Sequence, residues 1–183
     1  MKLSCCTDVL SKLSFEDMLD TLKLKGVNAI EITTGGWSSA PHLNMAKLLT
    51  DAGAREAFQN ALSKRGMTIA ALNCSGNPLD PGPMGQAHKE AAFNTMELAG
   101  LLGVKKIVMM SGLPPASPED TVPNWITYTV SWPADLKEKL DYQWNDVAIP
   151  FWKALVAHAE HHGVEKIALE NFSAQLVWNP ETL

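Results

Sequence analysis

Val164-Glu165-Lys166-Ile167-Ala168-Leu169-Glu170 follows a glycine, Gly163, and stops abruptly on a carboxylate. A short apolar run bounded by a turn residue reads as a strand buried on both faces, as in a parallel sheet. In a barrel of parallel strands, the residue at the carboxyl end of a strand points into the mouth where chemistry is done. Glu170 is therefore the first candidate for a metal ligand or an acid/base group. The alternative is a strand-end carboxylate paired with a neighbouring Lys.

The same pattern recurs upstream. Met1–Thr7, Val27–Ile32, Met67–Asn73 and Val104–Met110 read as four earlier strands. Between them, helical spacing predicts a first helix from Ser14 to Gly26, where Ser14 is an N-cap with Glu16 and Asp17 in the first turn. A second helix is predicted from about Met45 to Arg65, interrupted near Gly53. A third runs from Gln86 to Leu102, and a fourth from about Tyr142 to His162. Each stops at a glycine: Gly26, Gly66, Gly103 or Gly163. Strand and helix alternate with a period of roughly 30–40 residues, the size of a strand–helix–strand unit. Such alternation implies a parallel sheet with helices outside, either doubly wound or closed into a barrel. No Gly-x-Gly-x-x-Gly and no Gly-Lys-Ser/Thr phosphate loop follows a strand, which makes a nucleotide-binding doubly wound fold the weaker choice.

Composition narrows the function classes. The 183 residues carry a formal net charge of −5 and are 46% hydrophobic, as expected of one domain with a real core. The mild acidity argues against nucleic acid as a partner. No apolar run approaches a membrane span, and Met1-Lys2-Leu3-Ser4-Cys5-Cys6 is too quickly polar for a secretory signal. Cys5, Cys6 and Cys74 do not form a disulfide framework and read as reduced packing thiols of a cytoplasmic protein. Leu113 to about Leu140 is Pro-rich and reads as one long loop of the kind that is more often functional than idle.

Four groups of segments together resemble the sugar phosphate isomerase/epimerase family, the xylose-isomerase-like barrels. The first is Leu72-Asn73-Cys74-Ser75-Gly76-Asn77-Pro78-Leu79-Asp80-Pro81. The second is Asn94-Thr95-Met96-Glu97-Leu98-Ala99 with Leu102-Gly103-Val104. The third is Asn124-Trp125 with Trp144 and Ile149-Pro150-Phe151-Trp152. The fourth is Ile167-Ala168-Leu169-Glu170 with Asn179-Pro180-Glu181-Thr182-Leu183. The resemblance implies a (β/α) TIM barrel holding a divalent metal (Mn, Mg, Co or Zn). It also implies proton transfer between adjacent sugar carbons through an enediolate. Glu170 falls where the family places a strand-five Glu that binds metal and works as acid/base.

The sequence departs from relatives of this branch at two places. Asp80 stands where they tend to carry His-Pro, and Asn171-Phe172-Ser173-Ala174 where Met-His-Pro-Gly is common. The chain gives about five strands and four helices, whereas a full barrel needs on the order of 250 residues. Residues 1–183 are accordingly read as one incomplete barrel domain lacking strands six to eight, with an open sheet edge and an exposed apolar interior.

Individual residues carry the expected chemistry. A carboxylate such as Glu170 can hold a cation through one oxygen and take a proton on the other. Glu31, also near a strand end, reads equally well as one half of an ordinary salt bridge. Asn73 can hydrogen-bond a sugar hydroxyl in both directions, and Asp80 could stand in as an oxygen ligand, although Asp-Pro-Gly is also a plain turn. Trp37, Trp125, Trp132 and Trp178 fall in loops near the expected mouth, where an aromatic face can pack on the C–H face of a sugar or simply cover a loop. His42 lies in a polar loop beyond strand two and joins the substrate-binding set. His158 and His162 share a helix face, yet suit the negative end of the helix dipole better than a metal.

The reading is a metal-assisted isomerase or epimerase. Glu170 is catalytic, Glu170 and Asp80 bind metal, and Asn73, Trp178, Trp125 and His42 bind a small sugar or polyol. A homo-oligomer, or completion of the barrel by another chain, is expected. The rivals are an endonuclease-IV-like enzyme on the same barrel, disfavoured by the scarcity of His, and a non-catalytic truncated binding protein.

Overall fold

The computed structural model describes residues 3–127 and 134–183. Five strands lie in one all-parallel sheet in the order of the chain: β1 (Ser4–Cys6), β2 (Ala29–Thr33), β3 (Thr68–Asn73), β4 (Lys106–Met110) and β5 (Lys166–Glu170). The helices are α1 (Phe15–Leu24), α2 (Met45–Thr50), α3 (Ala52–Ser63), α4 (Pro83–Leu102), α5 (Ala134–Tyr142) and α6 (Ile149–His161). Sequential parallel neighbours joined by helices are the arrangement of a (β/α) barrel wall. A nucleotide-binding doubly wound sheet would instead reverse its strand order.

One face of the sheet makes the core. Ile30, Ile32, Leu72, Ile107 and Met109 are at most 1% exposed and pack under Met18 and Leu19 of α1, Met96 and Leu98 of α4, and Leu155 of α6. The strand register places Glu31, Asn73, Val108, Met110, Ala168 and Glu170 on the other face. There Val108 and Met110 are half-buried and Ala168 is exposed. This is the incompletely covered inner face that the sequence led us to expect. Among the described residues, β1 and β5 each pair on one side only.

Two local readings are corrected and one is refined. The interruption expected near Gly53 within Met45–Arg65 falls at Asp51 and divides the run into two helices. The Asp51 backbone closes α2, while its carboxylate accepts the Ala54 N–H at 3.1 Å and starts α3. The Pro-rich stretch is not a loop throughout, because α5 begins at Ala134. Helix four does not begin at Tyr142: Gln143–Ala148 is a π-helical turn between α5 and α6. Pro150, in the first turn of α6, has no N–H to donate and its ring crowds the preceding carbonyls, so the backbone widens just before it. The described residues therefore hold six α-helices, not four.

Candidate active site at the carboxyl ends of the strands

A row of polar side chains crosses the inner face near the carboxyl ends of three strands. Asn73 donates from Nδ2 to Glu31 Oε1 at 2.7 Å. Its Oδ1 accepts the Ser75 N–H at 2.9 Å. The Ser75 hydroxyl in turn donates to Glu170 Oε2 at 2.6 Å. That distance is typical of a hydrogen bond to an ionised carboxylate. Glu31 and Glu170 are both half-buried. Glu170 therefore has one oxygen held, while Oε1 accepts no hydrogen bond among the described residues. Asn73 bridges Glu31 and Ser75, with one Nδ2 hydrogen left for a ligand.

The loops that carry this row are locked to one another. Asn77 is 4% exposed, and its carboxamide clips the loop after β3 to the loop after β4. Oδ1 accepts from Leu113 N at 2.7 Å and Leu79 N at 3.2 Å, while Nδ2 donates to Leu113 O at 2.9 Å. The Asn77 N–H donates to His88 Nδ1 at 2.9 Å, and Trp37 meets the same imidazole edge-on. The Gly-Asn-Pro-Leu string is thus a structural clip in this chain. Gly36 is equally constrained. Its φ is +74°, and a Cβ there would come within 2.2 Å of the Ser75 carbonyl oxygen.

Beyond β4 and β5, Trp125, Trp144 and Trp178 line a cavity of about 160 Å³ together with Leu113, Gln175 and Glu181. Trp125 and Trp178 meet edge to face with ring centroids 6.1 Å apart. The Asn-Pro-Glu-Thr string positions this wall, since Asn179 caps the Pro180–Thr182 turn and the Trp178 N–H donates to Thr182 Oγ1. Two of the expected sugar-contacting tryptophans are therefore brought together. Trp144, which also packs against the core, joins them. Trp132 lies outside the described residues.

Asp80 sits elsewhere. Asp80 accepts the Gly82 N–H at 2.7 Å as a turn residue. It lines a separate cleft of about 560 Å³ with Lys89, Tyr142, Asp146 and Phe151, away from Glu170. His42 is 3% exposed, and neither ring nitrogen has a partner among the described residues. Cys5, Cys6 and Cys74 are free, and burial pushes the Cys6 and Cys74 thiols up.

His158, His161 and His162 cluster at the end of α6, with the His158 and His162 ring centroids 4.5 Å apart. Burial, then the neighbouring His158 and His161, lowers the His162 pKa from its ordinary 6.5, against the opposing pull of Glu97 on α4. A depressed histidine stabilises the fold above its unfolded pKa, and that contribution is lost as pH falls through the folded value. Thermal midpoints should therefore decline below about pH 6.5, and His162→Gln should flatten the decline. An identical pH profile for the variant would refute this.

To a divalent cation the strand-end row offers oxygen donors, foremost Glu170 Oε1, which accepts no hydrogen bond among the described residues. That suits a magnesium- or manganese-like ion, which is usually held through one or two carboxylates with waters and substrate. It does not suit a structural zinc cage. Among the described residues no group of three His, Cys, Asp or Glu side chains is placed to hold a metal. Asp80 is not brought to Glu170 as a second ligand.

Comparison with known proteins agrees with the fold. The uncharacterized protein YfiH of Bacillus subtilis (strain 168) is 64% identical over the whole chain, which spans 58% of that protein's length. A xylose isomerase-like TIM barrel protein from Mycobacterium smegmatis, solved in complex with magnesium, superposes with a TM-score of 0.64 at 16% identity. The match covers 99% of this chain and 58% of that one. A D-tagatose 3-epimerase-like protein superposes with a TM-score of 0.63 at 17% identity, covering 100% of this chain and 58% of that one. At these identities the two structures speak to the fold alone. The family described as xylose isomerase-like TIM barrel matches residues 19–183, and the chain belongs to that family.

Proposed function

We propose that this protein takes part in proton transfer between adjacent carbons of a small sugar, polyol or sugar phosphate, with Glu170 as the acid/base group. The observation that carries the reading is the Glu170 carboxylate at the end of β5, with Oε2 held by Ser75 and Oε1 accepting no hydrogen bond among the described residues. Such a carboxylate can take a proton from the carbon beside a carbonyl to leave an enediolate and return it to the neighbouring carbon, while the hydroxyl proton passes from one substrate oxygen to the other, which interconverts isomers. A divalent cation held in part by Oε1 would supply positive charge to steady the substrate oxygens. Trp125 and Trp178 offer aromatic faces to the C–H side of a sugar, and the free N–H of Asn73 a donor to one hydroxyl. The magnesium bound by the Mycobacterium protein and the epimerase likeness of the other neighbour suggest the chemistry carried over here, on a shared fold alone.

The incompletely covered inner face and the edges of β1 and β5, which pair on one side only among the described residues, support a closed barrel as the working unit, completed by a second copy or by another chain. The test is to incubate the protein with a panel of ketoses, aldoses and their phosphates, with Mg²⁺ or Mn²⁺, and follow each mixture by NMR. Resonances of an isomer or epimer are expected for at least one sugar. A panel with no conversion by protein whose native mass shows the sheet closed by a second copy or by another chain would contradict the reading.

A further inference from the structure

We propose that Ser75 is the positioning residue of this site, and that its hydroxyl fixes the Glu170 carboxylate so that Oε1 is the oxygen left for cation and substrate. This rests on the reading of Glu170 as the working carboxylate. A carboxyl group on a Glu side chain turns freely about its last torsion, which has a broad, roughly two-fold profile. Left alone, Glu170 would have to be ordered at the moment of binding. A short O–H···O⁻ bond of 2.6 Å from Ser75 removes that freedom beforehand.

The hydroxyl can do this because the Ser75 backbone is held from several directions. Its N–H is taken by Asn73 Oδ1, and the Asn73 amide is itself kept in one orientation by the 2.7 Å bond from Nδ2 to Glu31. Its carbonyl accepts the Trp37 N–H at 2.8 Å. The Gly36 backbone lies against that carbonyl so closely that no side chain fits at position 36, and a Cβ on Gly76 would lie only 3.0 Å from Gly36 Cα. With the backbone fixed, the serine oxygen has three staggered positions, and the one adopted reaches Glu170. Glu31 thereby acts on Glu170 through Asn73 and Ser75, joining β2, β3 and β5 in one preorganised unit.

The test uses the 183-residue protein and Mn²⁺ alone as probe, with free Mn²⁺ read by electron paramagnetic resonance. Ser75→Ala is expected to weaken Mn²⁺ binding about tenfold or more, the range seen when a group behind a metal ligand is removed. Ser75→Thr, which keeps the hydroxyl, should bind close to wild type, and Glu170→Gln should abolish binding. Thermal denaturation of each variant checks that it is folded. Should Ser75→Ala fail to fold, Ser75→Cys replaces it, and its poorer donor should also weaken binding. If Ser75→Ala (or its Cys replacement) binds like wild type while Glu170→Gln does not bind, the positioning role is overturned and Glu170 stands. A threonine variant as weak as alanine also overturns it. Wild-type protein that binds no Mn²⁺ overturns the cation reading of Glu170 and the role of Ser75 with it.

Discussion

Asn77→Ala is expected to destabilise the protein by about 3 kcal/mol, a loss to be read from urea unfolding followed by tryptophan fluorescence. The substitution removes a side chain that is 4% exposed and makes three hydrogen bonds to backbone. The N–H groups of Leu79 and Leu113 and the carbonyl of Leu113 would lose their partner in a place where those residues are buried. Each unpaired buried group costs about 1–3 kcal/mol, part of which an entering water recovers. Gly112 packs so closely on Leu79 that the two loops have little room to re-form the contact. Asn77→Asp should be nearly as harmful, because a carboxylate oxygen replaces the Nδ2 donor and faces the Leu113 carbonyl. A loss under about 1 kcal/mol for the alanine variant would show that the clip is not what ties these loops.

The second large effect is chemical. Glu170→Gln should leave the fold intact, since the side chain is half-buried and the amide can still accept from Ser75. It should reduce sugar interconversion by at least about 10²-fold, the contribution of one well-placed acid/base group. Glutamine cannot take a proton from carbon, and its neutral oxygen is a poorer cation ligand. Should Glu170→Ala, Glu170→Gln and wild type convert the same sugar at equal rates, Glu170 would be a strand-end carboxylate with no part in the chemistry.

Much of the architecture was legible because parallel strands are apolar on both sides and their helices stop at glycines. β2 to β5 fall within two residues of the runs that announce them, and the described residues hold the five strands expected. The helix breaks were less visible. The spacing expects an interruption near Gly53, and the cap that makes it is Asp51, two residues before. The π-helical turn before Pro150 depends on how one ring meets the preceding carbonyls, which residue spacing does not encode.

The site was legible only at its strand-end positions. Glu170 and Glu31 stand out in the sequence because each is a carboxylate that ends or interrupts an apolar run. Asn73 was singled out for substrate, while its bonds to Glu31 and Ser75 lie between residues 42 and 2 positions apart in sequence. Ser75 meets Glu170 across 95 residues, so nothing local marks it. The signal available was the string itself: a serine beside Gly76 and Asn77, in a loop that follows a strand ending in Asn. Asp80 illustrates the opposite case, where the Asp-Pro-Gly turn chemistry was the stronger of the two readings and is what the backbone bond to Gly82 displays.

The most direct test of Glu170 as the proton carrier is deuterium wash-in. A sugar that the wild-type protein converts would be incubated in D₂O with Mg²⁺ or Mn²⁺, and deuterium at the carbons flanking the carbonyl followed by NMR or mass spectrometry. Wild-type protein should place deuterium on carbon, and Glu170→Gln should leave the same positions protonated over the same time. Equal wash-in by the two proteins, or conversion with no exchange of carbon-bound hydrogen in either, would contradict the account.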